Sequence, residues 1–308
     1  LKRCQEALPR SFAKKWRGQI QDQSVLLKLS IGLRAVAEAM CGLAIWLYVW
    51  PAVADERYGA PPPDLRLHLD RLVRSYPDWI ARAGDDNVIL KNGARLPVSD
   101  HRTDKSFDEV VEHPDIDDMF YVPYPAGSLP QPPDKNVDPG RMRFEPLFVA
   151  MYGDCRKNEV VPKLRTIEWL PAHKGGRVAI TTVNGVDQAL AAVSHALDQV
   201  PAEFMKFLIP AAGTYNCRTV AGSGVRSMHA YGAAVDLNVA HADYWRWSND
   251  ANAPTWKNRI PTEIVRTFEQ HGFIWGGYWY HFDTMHFEYR PELLPDDNRH
   301  PGRPGAKD

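Results

Sequence analysis

Apolar positions along this 308-residue chain follow two spacings, and each spacing predicts a different kind of element. Between residues 65 and 80, Leu65, Leu69, Leu72 and Val73 fall on one side of a helix that Pro77 interrupts. Arg177-Val-Ala-Ile-Thr-Thr-Val183 is rich in β-branched residues and predicts a strand, which Asn184-Gly185 closes. Val186, Ala189, Leu190, Val193, Leu197 and Val200 then recur at helical spacing up to Pro201, with His195 as a structural residue on the helix. Phe207 to Ala212 is a second apolar run, leading into Gly213-Thr-Tyr-Asn-Cys-Arg218. Thr262 to His271 predicts a short helix with Ile264, Val265 and Phe268 inward and Gly272 as its stop.

Two later stretches alternate with a period of two. In the first, Ala234, Asp236 and Asn238 share one face, and Val235, Leu237 and Val239 the other. In the second, Met285, Phe287 and Tyr289 go to the core, and Thr284, His286 and Glu288 lie opposite. Laid side by side, these strands bring Asp236 and His286 together on a face turned to a cleft or to water. His229 comes from the turn before the first strand, where Gly232 lets the chain fold back closely. Asp283 stands three residues before His286, so it belongs in the turn that precedes the second strand.

The chemistry of these positions follows from their side chains. His229, Asp236 and His286 offer two imidazoles and a carboxylate, three ligands for zinc with a fourth position left for water. A lone His-x6-Asp pair is more often ordinary surface chemistry; the second strand, with Asp-x-x-His on its polar face, changes that balance. Asp283 is then placed to act as base on the water, or else only to orient a neighbour. Glu288 shares the face of His286 and is expected to support it. Arg218 can stabilise charge on a carbonyl oxygen or grip a carboxylate in a bidentate pair. Arg226 is its rival, and a surface salt bridge is the plain alternative for either. Trp275-Gly-Gly-Tyr-Trp279 suits a cleft wall or, equally, a core aromatic cluster.

The pair His229-x-x-Gly-x-Ala-x-Asp236 and Asp283-x-x-His286 resembles the zinc D-alanyl-D-alanine carboxypeptidase-like family of M15 type, which includes L-alanyl-D-glutamate endopeptidases. The resemblance runs from about Tyr152 to Tyr289, with Arg218 upstream where that family carries a substrate arginine and Ser227 matching its pattern before the first ligand. The elements and the resemblance together point to an α+β fold, a small antiparallel sheet carrying a zinc site with helices packed on it, and the prolines before it predict an irregular N-terminal extension. The resemblance also implies hydrolysis of an amide bond in the stem peptide of peptidoglycan. His229, Asp236 and His286 would hold Zn2+, Asp283 and Arg218 would be catalytic, and Ser227, Arg218, Trp275 and Trp279 would bind substrate. An Asp at the base position resembles the endopeptidase branch. The competing reading is a non-catalytic, zinc-containing cell-wall binding module, against which an intact Asp283 and Arg218 argue.

Totals and the N-terminal third complete the picture. A net charge of -1 gives no basic field, so nucleic acid is not expected as a partner, and a monomer is. Residues 1–34 are basic and polar, Met40 to Trp50 is wholly apolar, and Ala52-Val53-Ala54 follows. That order reads as a signal peptide over residues 1–54, with an uncleaved anchor or a buried helix as alternatives. The apolar run is short for a membrane span, so no stable span is expected after processing, and the protein is expected in the periplasm or cell envelope. Residues 55–150, rich in proline, form the extension; 151–290 the peptidase domain; 291–308 a flexible tail. Cleavage after residue 54 leaves Cys155 and Cys217, either bridged, which would brace the arginine segment, or present as two buried thiols.

Overall fold

The computed structural model describes residues 56–251 and 253–295. The expected signal segment lies outside the described residues. Its α+β architecture is built around a three-stranded antiparallel sheet, β6 (Ala234–Asp236), β8 (His286–Tyr289) and β7 (Phe273–Trp275), with β8 in the middle. The register pairs Asp236 with His286 and Ala234 with Glu288, as the two alternating stretches lead one to expect.

Helices α4 (Val186–Leu197), α5 (Met205–Leu208) and α6 (Thr262–Glu269) present apolar residues to the same core as the sheet. The Phe268 ring of α6 stacks on Phe287 of β8 at 3.9 Å between centroids. A two-stranded ribbon, β4 (Leu164–Glu168) with β5 (Arg177–Thr181), joins the sheet region where Gly232 O accepts the amide of Thr181. Gly232 itself is left-handed at φ 64, and a Cβ there would sit 2.7 Å from Leu164, so the turn that delivers His229 needs glycine.

The N-terminal part is more regular than its proline content implies. Helix α1 (Leu65–Ser75) buries Leu69 and Leu72, and a meander β1 (Ile80–Ala83), β2 (Asn87–Leu90), β3 (Arg95–Pro97) follows. Strands this short carry too little alternation to be read from sequence. Helix α2 (Phe107–Glu112) starts at a capping box of Ser106 and Glu109. Helix α3 (Glu145–Tyr152) buries Leu147, Phe148, Met151 and Tyr152 in the core that also holds Leu72, Leu190 and Phe287. Residues on both sides of position 150 therefore share one hydrophobic core.

Three expectations need correction. Residues 291–294 are no flexible tail: Pro291–Leu293 form a 3-10 turn, and buried Glu292 accepts from Tyr76 Oη at 2.6 Å and from Arg290 Nε. Nor does the whole polar face of β8 turn to the cleft: His286 lines it, but Thr284 and Glu288 do not. Glu288 is fully buried beneath Arg143 and Arg290. Val239, expected inward, is 41% exposed, because β6 ends at Asp236 and the alternation lapses into a 3-10 turn. Among the described residues no helix is long and apolar enough to cross a membrane.

Candidate metal centre

Three inward-facing atoms define the site. His229 Nε2 lies 3.1 Å from Asp236 Oδ1 and 3.1 Å from His286 Nδ1, and His286 Nδ1 lies 3.0 Å from Asp236 Oδ1. The triangle is nearly equilateral. Tetrahedral ligands about 2.0–2.1 Å from one zinc ion stand roughly 3.3 Å apart, so the donors are already close to the spacing that ion demands.

The outer ring nitrogens decide the tautomers. His229 Nδ1 faces the carbonyl of Thr214 at 2.6 Å, an acceptor that can only receive a proton. His286 Nε2 faces the Glu288 carboxylate at 2.9 Å, again an acceptor. Each neutral imidazole thus spends its proton outward and turns a bare lone pair inward, beside a carboxylate oxygen. Three donor atoms converging this closely, one of them a carboxylate oxygen, call for a cation among them, either a proton on His286 or a metal ion that displaces it. The donor set fits zinc.

Charge around the centre follows the same logic. Burial opposes ionisation of Asp236, but His229 and then His286 outweigh it and hold the carboxyl well below its usual range. Burial also opposes a charge on His286, yet Asp236 and Glu288 raise it to about 9 when only protons compete for the site. Glu288 is kept ionised, against its burial, chiefly by Arg143, whose guanidinium donates at 3.1 and 2.5 Å. Asp283 moves the other way: burial first, and the Asp236 carboxylate second, push it up to about 7. Its Oδ1 is buried with no hydrogen-bond partner in the protein.

Asp236, His286, Asp283, Arg218, Ser227 and Trp279 line one cleft of about 310 Å³. Asp283 sits in an isolated bridge to Tyr244, with a turn between it and β8. Ser227 caps the 3-10 turn Met228–Tyr231, its hydroxyl accepting the His229 amide. Arg218 opens the tight loop that closes at Arg226, and the Cys155–Cys217 disulfide ties its neighbour to the end of α3. The rival Arg226 is buried and engaged by Asp154 at 2.8 Å and Glu145 at 3.2 Å, away from the cleft.

Trp275 does not line the cleft. It is fully buried, its indole donates to Thr284 O, and its amide donates to the Tyr124 hydroxyl, so of its two readings the core cluster is the one observed. Arg141, Arg143, Tyr244, Trp245 and Trp247 line the cleft without having been singled out. The run Tyr244-Trp-Arg-Trp247 was a usable signal, since Trp247 stays 57% exposed. Arg141 and Arg143 come from the proline-rich segment and carried none.

Residues 221–289 match the family described as D-alanyl-D-alanine carboxypeptidase, and that segment holds His229, Asp236, Asp283 and His286. The resemblance to M15-type peptidases is thereby shown for this part of the chain. No curated protein and no solved structure matches the chain.

Proposed function

We propose that the protein is a zinc-dependent peptidase that hydrolyses an amide bond in the stem peptide of peptidoglycan, either the L-alanyl-D-glutamate or the D-alanyl-D-alanine bond. The observation that carries this reading is the convergence of two imidazole nitrogens and a carboxylate oxygen within about 3 Å of one another, beside the buried, unpartnered Oδ1 of Asp283 in an open cleft. Zinc held by His229, Asp236 and His286 would supply Lewis acidity, making a bound water more acidic and the scissile carbonyl more electrophilic.

The chain's own groups do the rest. Asp283 Oδ1 accepts a proton from the attacking water and delivers it to the leaving amine. Arg218 faces the oxygen on which negative charge develops, or holds a substrate carboxylate. Trp279, whose ring lies 5.6 Å from that of His286, walls the cleft beside the reacting bond. Glu288 and the Thr214 carbonyl fix the two imidazoles. The disulfide fits export to an oxidising compartment.

The test is digestion of purified muropeptides, read by mass spectrometry. Chelation should abolish cleavage and added zinc restore it, and the fragment masses identify the bond. Asp283→Ala should retain zinc yet lose about 10²- to 10⁴-fold in kcat. Activity that survives thorough chelation sinks the metal mechanism; a zinc-loaded wild type that binds muropeptides without cutting them makes the chain a binding module.

A further inference from the structure

We propose that the cleft continues into a saccharide-binding compartment, so that the enzyme reads the sugar to which its stem peptide is attached; this rests on the peptidoglycan reading above. Trp245 and His281 line both the first cleft and a second depression of about 740 Å³ on their other side. Its far wall comes from Phe107 and Asp108 of α2 and from Lys135 and Asn136, all outside the residues that match the peptidase family.

The dividing wall is a built feature. Asp138 is fully buried and accepts from His281 twice, at 3.0 Å from the backbone amide and 2.6 Å from Nδ1. Burying a carboxylate is costly unless it is bonded, and here the bonds hold one cleft-lining ring in a single orientation. Phe107 stacks on that ring at 5.6 Å, while Trp245 and Tyr280 meet it edge-on at 4.8 and 5.0 Å.

The lining mixes ring surfaces with a carboxylate, an amide and an ammonium group. A pyranose matches such a surface, because it carries apolar C–H faces ringed by hydroxyls, and an N-acetyl group adds a methyl and an amide. Asp108 and Lys135 stand exposed on this wall, where a ligand's hydroxyls can pair with them. The placement also selects the bond. A stem peptide hangs from muramic acid by its L-alanine, so a sugar in the second compartment leaves the L-alanyl-D-glutamate bond nearest Asp283. The D-alanyl-D-alanine bond lies three residues further on, about 10 Å at the reach of an extended chain.

The experiment compares zinc-loaded full-length protein on two substrates, the disaccharide-linked dipeptide GlcNAc-MurNAc-L-Ala-D-isoGln and free L-Ala-D-isoGln. The disaccharide-linked form should be cut with kcat/KM about tenfold higher or more. The double variant Asp108→Ala, Asn136→Ala, at positions exposed or half-buried, should erase that preference and leave cleavage of the free peptide unchanged. Calorimetric titration with GlcNAc-MurNAc alone should give binding to wild type and none to the variant. Equal rates on both substrates, or an equal loss on both in the variant, overturns the saccharide assignment and leaves a compartment for peptide. If neither substrate is cut but the disaccharide still binds wild type alone, the compartment stands and the peptidase reading falls. Absence of disaccharide binding overturns the proposal.

Discussion

Two groups of metal-ligating side chains stand out among the described residues, and the difference between them is which one brings its own cation. Asp115, Asp117 and Asp118 gather three carboxylates, yet the buried ammonium of Lys105 lies 2.7 Å from Asp115, 2.7 Å from Asp118 and 3.1 Å from Asp100. The positive charge that a metal would provide is already there, tethered to the chain. At His229, Asp236 and His286 no ammonium or guanidinium pairs with the inward atoms, and the positive charge at the centre is a proton held by His286, which a metal ion can displace. A count of acidic groups does not make a metal site; an unmet demand for positive charge does.

The largest effect that tests this contrast is loss of a ligand. His286→Ala should lower zinc affinity and peptide hydrolysis by roughly a thousandfold or more, read by metal content and muropeptide cleavage. Full zinc content in that variant would break the comparison. Lys105→Met should cost about 3–5 kcal/mol of folding stability, because it strands buried carboxylates, with zinc content unchanged. Millimolar Ca2+, an oxygen-seeking ion, should restore part of that loss in chemical denaturation; no calcium effect would mean the acidic pocket cannot take an external ion.

A smaller change separates the ligands from their support. Glu288→Gln keeps the shape beside His286 but removes the carboxylate that fixes its tautomer, and zinc affinity should fall about 10- to 100-fold. The mildest test is the pH dependence of zinc binding. Without metal, His286 keeps its proton up to about pH 9, so zinc must expel that proton at neutral pH. Affinity measured by chelator competition should therefore rise about tenfold per pH unit between roughly pH 7 and 9, then level off. A flat profile would show that His286 enters the apo site unprotonated.

Much of the centre was legible because its residues obey local rules. Alternation in 234–238 and 284–289 put Asp236 and His286 on matching faces, and the observed register pairs them directly. The helix from Val186, the strand from Arg177 and the helix from Thr262 follow their periodicities to within a turn. Arg143 was invisible, since it reaches Glu288 across 145 residues, and so was the bond from Asp138 to His281 across 143. Neither partner carries a local pattern that announces the other.

The sequence by itself determined which donor residues come together, the order of their motifs and the period of the strands and helices that carry them, because side-chain chemistry and backbone spacing are local properties. Tertiary structure alone decided which arginine stays at the cleft. Asp154 and Glu145 claim Arg226, while Arg218 remains at the opening beside a bridged Cys217. It also decided that Trp275 is core and Trp279 is wall, and that the proline-rich segment closes over Glu288 and shapes the far side of the cleft. Those outcomes depend on which distant groups meet and compete for the same charge or the same space, and spacing along a chain does not encode that.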